Sequence, residues 1–179
     1  MLQSLREDSA RAGSLAAATC VAASPKGWLL SLGAGRLVAV GERELVHILA
    51  ELPKLQPIPR APAHARHAMA WQERILPVID LSALLDKSES GPSTPISVIG
   101  IVAFRGARKG TIGLGALALH DVPQRLETSD SDACEMPSRL HALSAWAISC
   151  LDHPDHGAVP ILNLSNLYAV APELAMGAA

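Results

Sequence analysis

A mainly β fold built from two similar halves is what this sequence predicts, and three observations predict it. The segment RILPVIDLSALL (74–85) is echoed by AVPILNLSNLY (158–168): with Pro77 laid on Pro160, Val78 meets Ile161, Ile79 meets Leu162, Asp80 meets Asn163, Leu81 meets Leu164, Ser82 meets Ser165 and Leu84 meets Leu167, at a constant offset of 83 residues. The remaining apolar residues fall in short aliphatic runs bounded by Gly, Pro and polar turns, the pattern of strands and hairpins. Prolines at 53, 57, 59 and 62 forbid any long helix in the first half. Apolar residues make up 49% of the 179 and aromatics only 3%, so the core must be assembled from Leu, Ile, Val and Ala. That length suits one compact domain, or two small halves that share a core.

The elements follow in order. WLLSL (28–32), the turn Gly33, Ala34, Gly35 and RLVAV (36–40) read as a hairpin. Residues 42–52 fit a helical turn or a strand equally well, with Leu45, Val46, Ile48, Leu49 and Leu52 apolar, and the proline-rich stretch after them reads as extended loop. Residues 75–81 are almost wholly apolar and branched, as a strand buried on both faces would be. Pro77 removes one ladder hydrogen bond, which places it at a strand start, an edge or a bulge. Asp80 then caps a short helix through Leu84, a cap worth about 1 kcal/mol.

SESGPSTP (88–95) is a polar linker, and ISVIGIVAF (96–104), the basic turn RGARKG (105–110) and TIGLGALAL (111–119) form a second hairpin. The acidic loop ETSDSDACEMPS (127–138) is too polar to pack, and residues 138–150 are ambiguous between helix and strand. DHPDHG (152–157) then turns into the second copy of the Pro strand, with Asn163 in the capping place of Asp80. Ile75, Val78, Ile79, Val159, Ile161 and Leu162 are assigned to the core, each worth about 1.5–3 kcal/mol when buried.

Charge and cysteine usage exclude whole classes. A net charge of −2 gives no electrostatic reason to expect nucleic acid or an anionic membrane as partner. Cys20, Cys134 and Cys150 are odd in number and widely spaced, which indicates neither a disulfide framework nor a zinc ribbon and suits a reducing, cytoplasmic compartment. LAAATCVAA (15–23) imitates a signal-peptide core, but Glu7 and Asp8 cancel Arg6 and Arg11, so residues 1–24 read as a flexible tail. No apolar run approaches the roughly 20 residues needed to cross a bilayer.

Candidate chemistry is sparse. His64 and His67, with Asp152, His153, Asp155 and His156, are the clusters with metal-ligand chemistry, and they would make a site only if the two groups converged. Their spacing matches no metal motif, and the second group lies in a turn where solvated polar residues are expected. Lys109 with Gly110, Gly113 and Gly115 is in the wrong order for a phosphate cradle; close backbone packing in a strand explains the glycines better. Arg105, Arg108 and Lys109 read as a solvated hairpin tip or as a contact for an acidic partner. No nucleophile elbow is present.

Two blocks carry a family resemblance. WLLSLGAGRLVAV (28–40) looks like the first hairpin of the CheW-like domain, the adaptor fold of bacterial chemosensory arrays. LPKLQPIPRAPAHARHAMAWQERILPVIDLSALL (52–85) resembles, without a gap, that family's Pro-containing loop, its segment ending in N-L-R-G or N-W-R-G, and its V-P-V-I-D-L strand. Trp71 is similar to the N-W-R-G version found in PilI-type adaptors of type IV pilus twitching motility. The resemblance implies two intertwined five-stranded β-barrels with short helices, over residues 25–172, with a short tail at 173–179. It also implies no catalysis and no cofactor. The partners it implies are the regulatory domain of a CheA-type histidine kinase and methyl-accepting chemoreceptors.

Carried over position by position, the resemblance assigns partner contact to Val46, Ile48, Leu49, Ala70, Trp71, Gln72, Glu73 and Ile75. The departures lie in the same place. Ala70, Trp71, Gln72 and Glu73 stand where the family has Asn-Leu/Trp-Arg-Gly, so a cation and a flexible turn are both gone. His67 replaces a Gly, and Ile48 replaces the Glu of V-x-E-I. Arg to Gln removes a bidentate charged donor that can contribute about 1.5–3 kcal/mol to a contact. Trp71 reads as an interface anchor or, in a chain short of aromatics, as a core plug.

Overall fold

A computed structural model of the chain describes residues 26–85, 95–106 and 108–169. The tails at 1–24 and 173–179 and nearly all of the linker at 88–95 lie outside the described residues. The first hairpin is β1 (Lys26–Ser31) and β2 (Leu37–Gly41), joined through Gly33, Ala34 and Gly35, all at positive φ. The ambiguous segment after it is a strand, β3 (Leu45–Leu49). Beyond the two-residue β4 (Gln56–Pro57) and a 3-10 turn at Ala63–Ala65 come β5 (His67–Trp71), β6 (Arg74–Ile79) and the capped helix α1 (Ser82–Leu85). The second hairpin is β7 (Val98–Arg105) and β8 (Ile112–Leu119), followed by β9 (Gln124–Glu127). Residues 138–150 prove to be both of the forms weighed, a 3-10 helix at Ser138–Trp146 running into β10 (Ala147–His153). β11 (Gly157–Leu162) and α2 (Leu164–Ala169) complete the second half.

The strands form two β-barrel-like sheets whose orders mirror each other: β10-β11-β2-β1-β9 in one, β5-β6-β8-β7-β3 in the other, with β4 added at the β5 edge. The second sheet therefore has six strands among the described residues, not five. Each hairpin finds both neighbours in the opposite half of the chain. β8 pairs in parallel with β6 (Val78↔Ala116) and β7 antiparallel with β3, while β2 pairs in parallel with β11 (Ile161↔Ala39) and β1 antiparallel with β9. This crossing is the intertwining, and it explains the repeat. Pro77 and Pro160 each stand one residue before a parallel ladder begins, so their missing N–H groups fall just outside it.

Alternation along the strands divides the core into three. Leu76 and Val78 face the interior of one barrel with Met69, Ile99, Ile101, Ala116 and Ala118. Their counterparts Val159 and Ile161 face the other with Leu29, Ala39, Leu126 and Leu151. Ile79, Leu81, Leu162 and Leu164 take the opposite side and meet in a shared core between the barrels, with Leu30, Val38, Leu117 and Leu119. β2 and β8 from Gly115 onward are buried on both faces, which is why they read as continuous apolar runs.

Local chemistry fixes the ends. Asp80 Oδ1 accepts from the Ser82 N–H at 2.9 Å and from its hydroxyl at 2.6 Å, and Asn163 Oδ1 accepts from the Asn166 N–H at 3.1 Å. Gly113 and Gly115 leave room for rings. A Cβ at Gly115 would lie 2.3 Å from the Tyr168 ring, and one at Gly113 would lie 2.4 Å from Phe104. Those two rings stack at 4.7 Å, and the Tyr168 hydroxyl donates to the Ala116 carbonyl at 2.6 Å. The acidic loop, expected to stay unpacked, is instead pinned by its backbone. Ser129 and Asp132 form a capping box, Ala133 bridges to Leu151, and the Cys134 N–H donates to the Cys150 carbonyl at 2.9 Å. Across the halves, the Arg125 guanidinium pairs with Glu42 and lies over the Trp28 ring, 4.4 Å from its centroid.

Candidate partner-binding surface

The altered motif segment forms the tip of the β5–β6 hairpin. Trp71 pairs with Arg74, leaving Gln72 and Glu73 as a two-residue turn with φ of 45° and 63°. Positive φ at both central residues is the geometry of a type I′ turn, which matches the twist of the flanking strands. The tight turn is therefore kept, contrary to the expectation from the missing Gly, although two side-chain-bearing residues now hold it. The cation lost at Gln72 has a near neighbour, because Arg74 is exposed on the next strand position.

Burial sorts the expected contact residues into two groups. Ala70, Gln72 and Glu73 are exposed, Val46 is 51% exposed, and Ile75, assigned to the core by its apolar surroundings in sequence, is 74% exposed. The cause is the short ladder between β6 and β8, confined to Val78 and Ile79, so the first half of β6 has β5 as its ladder partner. Ile48 and Leu49 are half-buried, the first against the shared core and the second against the barrel interior. Ile161, also assigned to the core, is half-buried.

Trp71 is in part the core plug that one reading expected. Half-buried, it packs on the barrel cluster of Met69 and Leu76 and meets the His47 ring of β3 at 6.4 Å. This contact sets the β5–β6 tip beside β3, and Leu49 of β3 packs on the same barrel cluster as Trp71. His47 was not legible in the sequence. A regular strand would turn it away from Val46, but a bulge between Leu45 and His47 leaves both exposed.

The other candidates disperse. The His64 ring lies 5.9 Å from Trp146, and burial holds its pKa below the ordinary histidine value. His64 serves as a joint, since its carbonyl accepts the Asp80 N–H at 2.8 Å. His153 and His156 stack at 4.6 Å, with His153 Nδ1 accepting the Asp155 N–H. Among the described residues, no three of His, Cys, Asp and Glu come together as a metal site. The buried hydroxyl of Ser82 donates to Asp80 rather than to a base.

With the crossed sheets and the Trp71 hairpin in view, comparison with known families is decisive: a model described as CheW-like domain matches residues 29–171. The chain belongs to that family. CheW-like domains are scaffolds that in general couple CheA kinases to chemoreceptors. Among solved structures, the chain is similar to the scaffolding protein TtCheW from Thermoanaerobacter tengcongensis. The TM-score is 0.60 at 16% identity, over 81% of this chain and 88% of that one. That likeness shows the CheW fold of two small barrel-like sheets. No curated protein matches the sequence. Among the described residues no helix is long and apolar enough to cross a membrane.

Proposed function

We propose that this CheW-like chain is a non-catalytic, cytoplasmic adaptor of a bacterial chemosensory system, in the style of the PilI-type adaptors of type IV pilus twitching. It binds the regulatory domain of a CheA-type histidine kinase and a chemoreceptor. The observation that supports this reading best is Ile75, a large aliphatic residue left 74% exposed opposite Ala70 on the outward face of the hairpin that corresponds to the family's partner-contact segment. A large aliphatic side chain left in solvent on an outward hairpin suits the apolar centre of a small interface.

A second reading is favoured by one specific observation. Gln72 and Glu73 replace the motif's cation and glycine, so a chain that has kept the kinase and lost the receptor would act as a modulator.

Titration of the purified chain against a CheA-type regulatory domain and, separately, against a receptor cytoplasmic tip distinguishes the two. Binding of both supports the adaptor, and binding of kinase alone supports the modulator. Ile75→Asp is expected to weaken whichever contact forms by about 10-fold or more, the effect of about 1.4 kcal/mol or more at an interface. Failure of both ligands to bind would overturn the proposal.

A further inference from the structure

Two of the three cysteines, far apart in sequence, are brought face to face. The antiparallel bridge between Ala133 and Leu151 sets Cys134 directly opposite Cys150, and the Cys134 N–H donates to the Cys150 carbonyl at 2.9 Å. Side chains of directly opposed residues stand on the same side of the pair, with Cα atoms about 5.5 Å apart, inside the span a disulfide requires. Both thiols are free, Cys134 half-buried and Cys150 buried. We propose that Cys134 and Cys150 form a redox-modification site, a dithiol that a low-molecular-weight disulfide such as oxidised glutathione converts into an intramolecular disulfide.

The chemistry has a fixed order because only one thiol is accessible. The Cys134 thiolate attacks one sulfur of the glutathione disulfide, forming a mixed disulfide and releasing one glutathione thiolate. Cys150 then gives up its proton, and its thiolate attacks the Cys134 sulfur, releasing the second glutathione. In balance, two protein thiols are oxidised to one disulfide while one glutathione disulfide is reduced to two thiols. Burial is the main cause pushing the Cys150 thiol up to about 11, with the Cys134 thiol beside it adding to the effect, so resolution is the slow step.

The link has a structural target. It closes a loop that contains the 3-10 helix Ser138–Trp146, which sends Leu143 into the shared core and rests Trp146 against it. Oxidation ties this cover to β10, the edge strand of its sheet, at the junction of the two halves. The inference is independent of which partner the adaptor binds.

The test uses the full chain with Cys20→Ser, so that two thiols remain. After incubation with oxidised glutathione, remaining thiols are alkylated under denaturing conditions and the peptides are mapped by mass spectrometry. The expected product is a monomer lighter by two hydrogens, with one peptide pair joined through Cys134 and Cys150. It melts about 5–10 °C higher than the reduced form and reverts with dithiothreitol. Cys150→Ser in the same background is expected to stop at a glutathione adduct on Cys134, and Cys134→Ser to stay unmodified. Recovery of both thiols in alkylated form, a persistent adduct on Cys134 with Cys150 free, or only cross-linked dimers would overturn the proposal.

Discussion

Gln72 and Glu73 occupy backbone conformations that favour glycine and asparagine, yet the β5–β6 hairpin closes in register up to Trp71 and Arg74. For residues carrying a Cβ the left-handed region costs roughly 1–2 kcal/mol each, so neighbouring pairs must hold the turn. Those neighbours are the five cross-strand pairs of the hairpin and the Trp71 indole packed on the barrel cluster. Strain held at a surface site that is also the family's contact segment suits a role for the Gln72 and Glu73 side chains rather than for the turn. Replacing them with a relaxed pair, Gln72→Asn with Glu73→Gly, is expected to raise unfolding stability by about 1–2 kcal/mol. In urea titration this would appear as a higher midpoint at unchanged slope. An unchanged or lowered midpoint would show that the flanking strands impose no strain on these residues.

At the scale of elements, α2 is held by rings lying on glycines. Phe104 and Tyr168 stack on each other over β8, where Gly113 and Gly115 leave the strand surface bare. Gly115→Ala would set a methyl group 2.3 Å from the Tyr168 ring, forcing the helix away from the sheet. The expected loss is about 2–3 kcal/mol, against about 1 kcal/mol for Tyr168→Phe, which removes one hydrogen bond and leaves the packing. Paired thermal melts of the two variants check the order, and equal losses would mean the ring stack does not anchor α2. What was legible in the sequence at this scale was whatever depends on near neighbours: the Asp80 and Asn163 caps, both hairpins, and Gly113 and Gly115 as packing positions, whereas Gly110, read the same way, is a turn glycine at φ 82° with open space around it. Ile75 was misassigned to the core because its burial depends on which distant strand lies beside β6, and the β8 ladder stops at Val78, three positions away. The bulge in β3 similarly shifts the phase of Val46 and His47, so a segment that folds as a strand kept the look of a helical turn.

At the scale of the molecule, the two halves cannot be taken apart. The β1–β2 hairpin has β9 and β11 as its sheet neighbours, and the β7–β8 hairpin has β3 and β6. Either half alone would expose both edges of its hairpin together with its share of the common core. Residues 1–90 and 91–179 expressed separately are therefore expected to lack the far-ultraviolet circular dichroism of folded sheet and to regain it when mixed. A folded first half on its own would contradict the crossed topology. The duplicated Pro segments announced two matched units, but the exchange of strands between them was not written in either copy, because each copy encodes only the faces it presents. The sequence expectation of crossed barrels came from the family likeness instead.

The mirrored strand orders have the geometry of a domain-swapped homodimer whose protomers have been fused end to end. A tandem duplication of an ancestral gene would supply such a chain directly, converting a two-fold symmetric pair into a monomer whose copies are free to diverge. Divergence would then proceed fastest where a position has no counterpart to satisfy. The two hairpin tips, Gln72 and Glu73 on one copy and Asp155 and His156 on the other, would be such positions, whereas Ile79 and Leu162 share one interior.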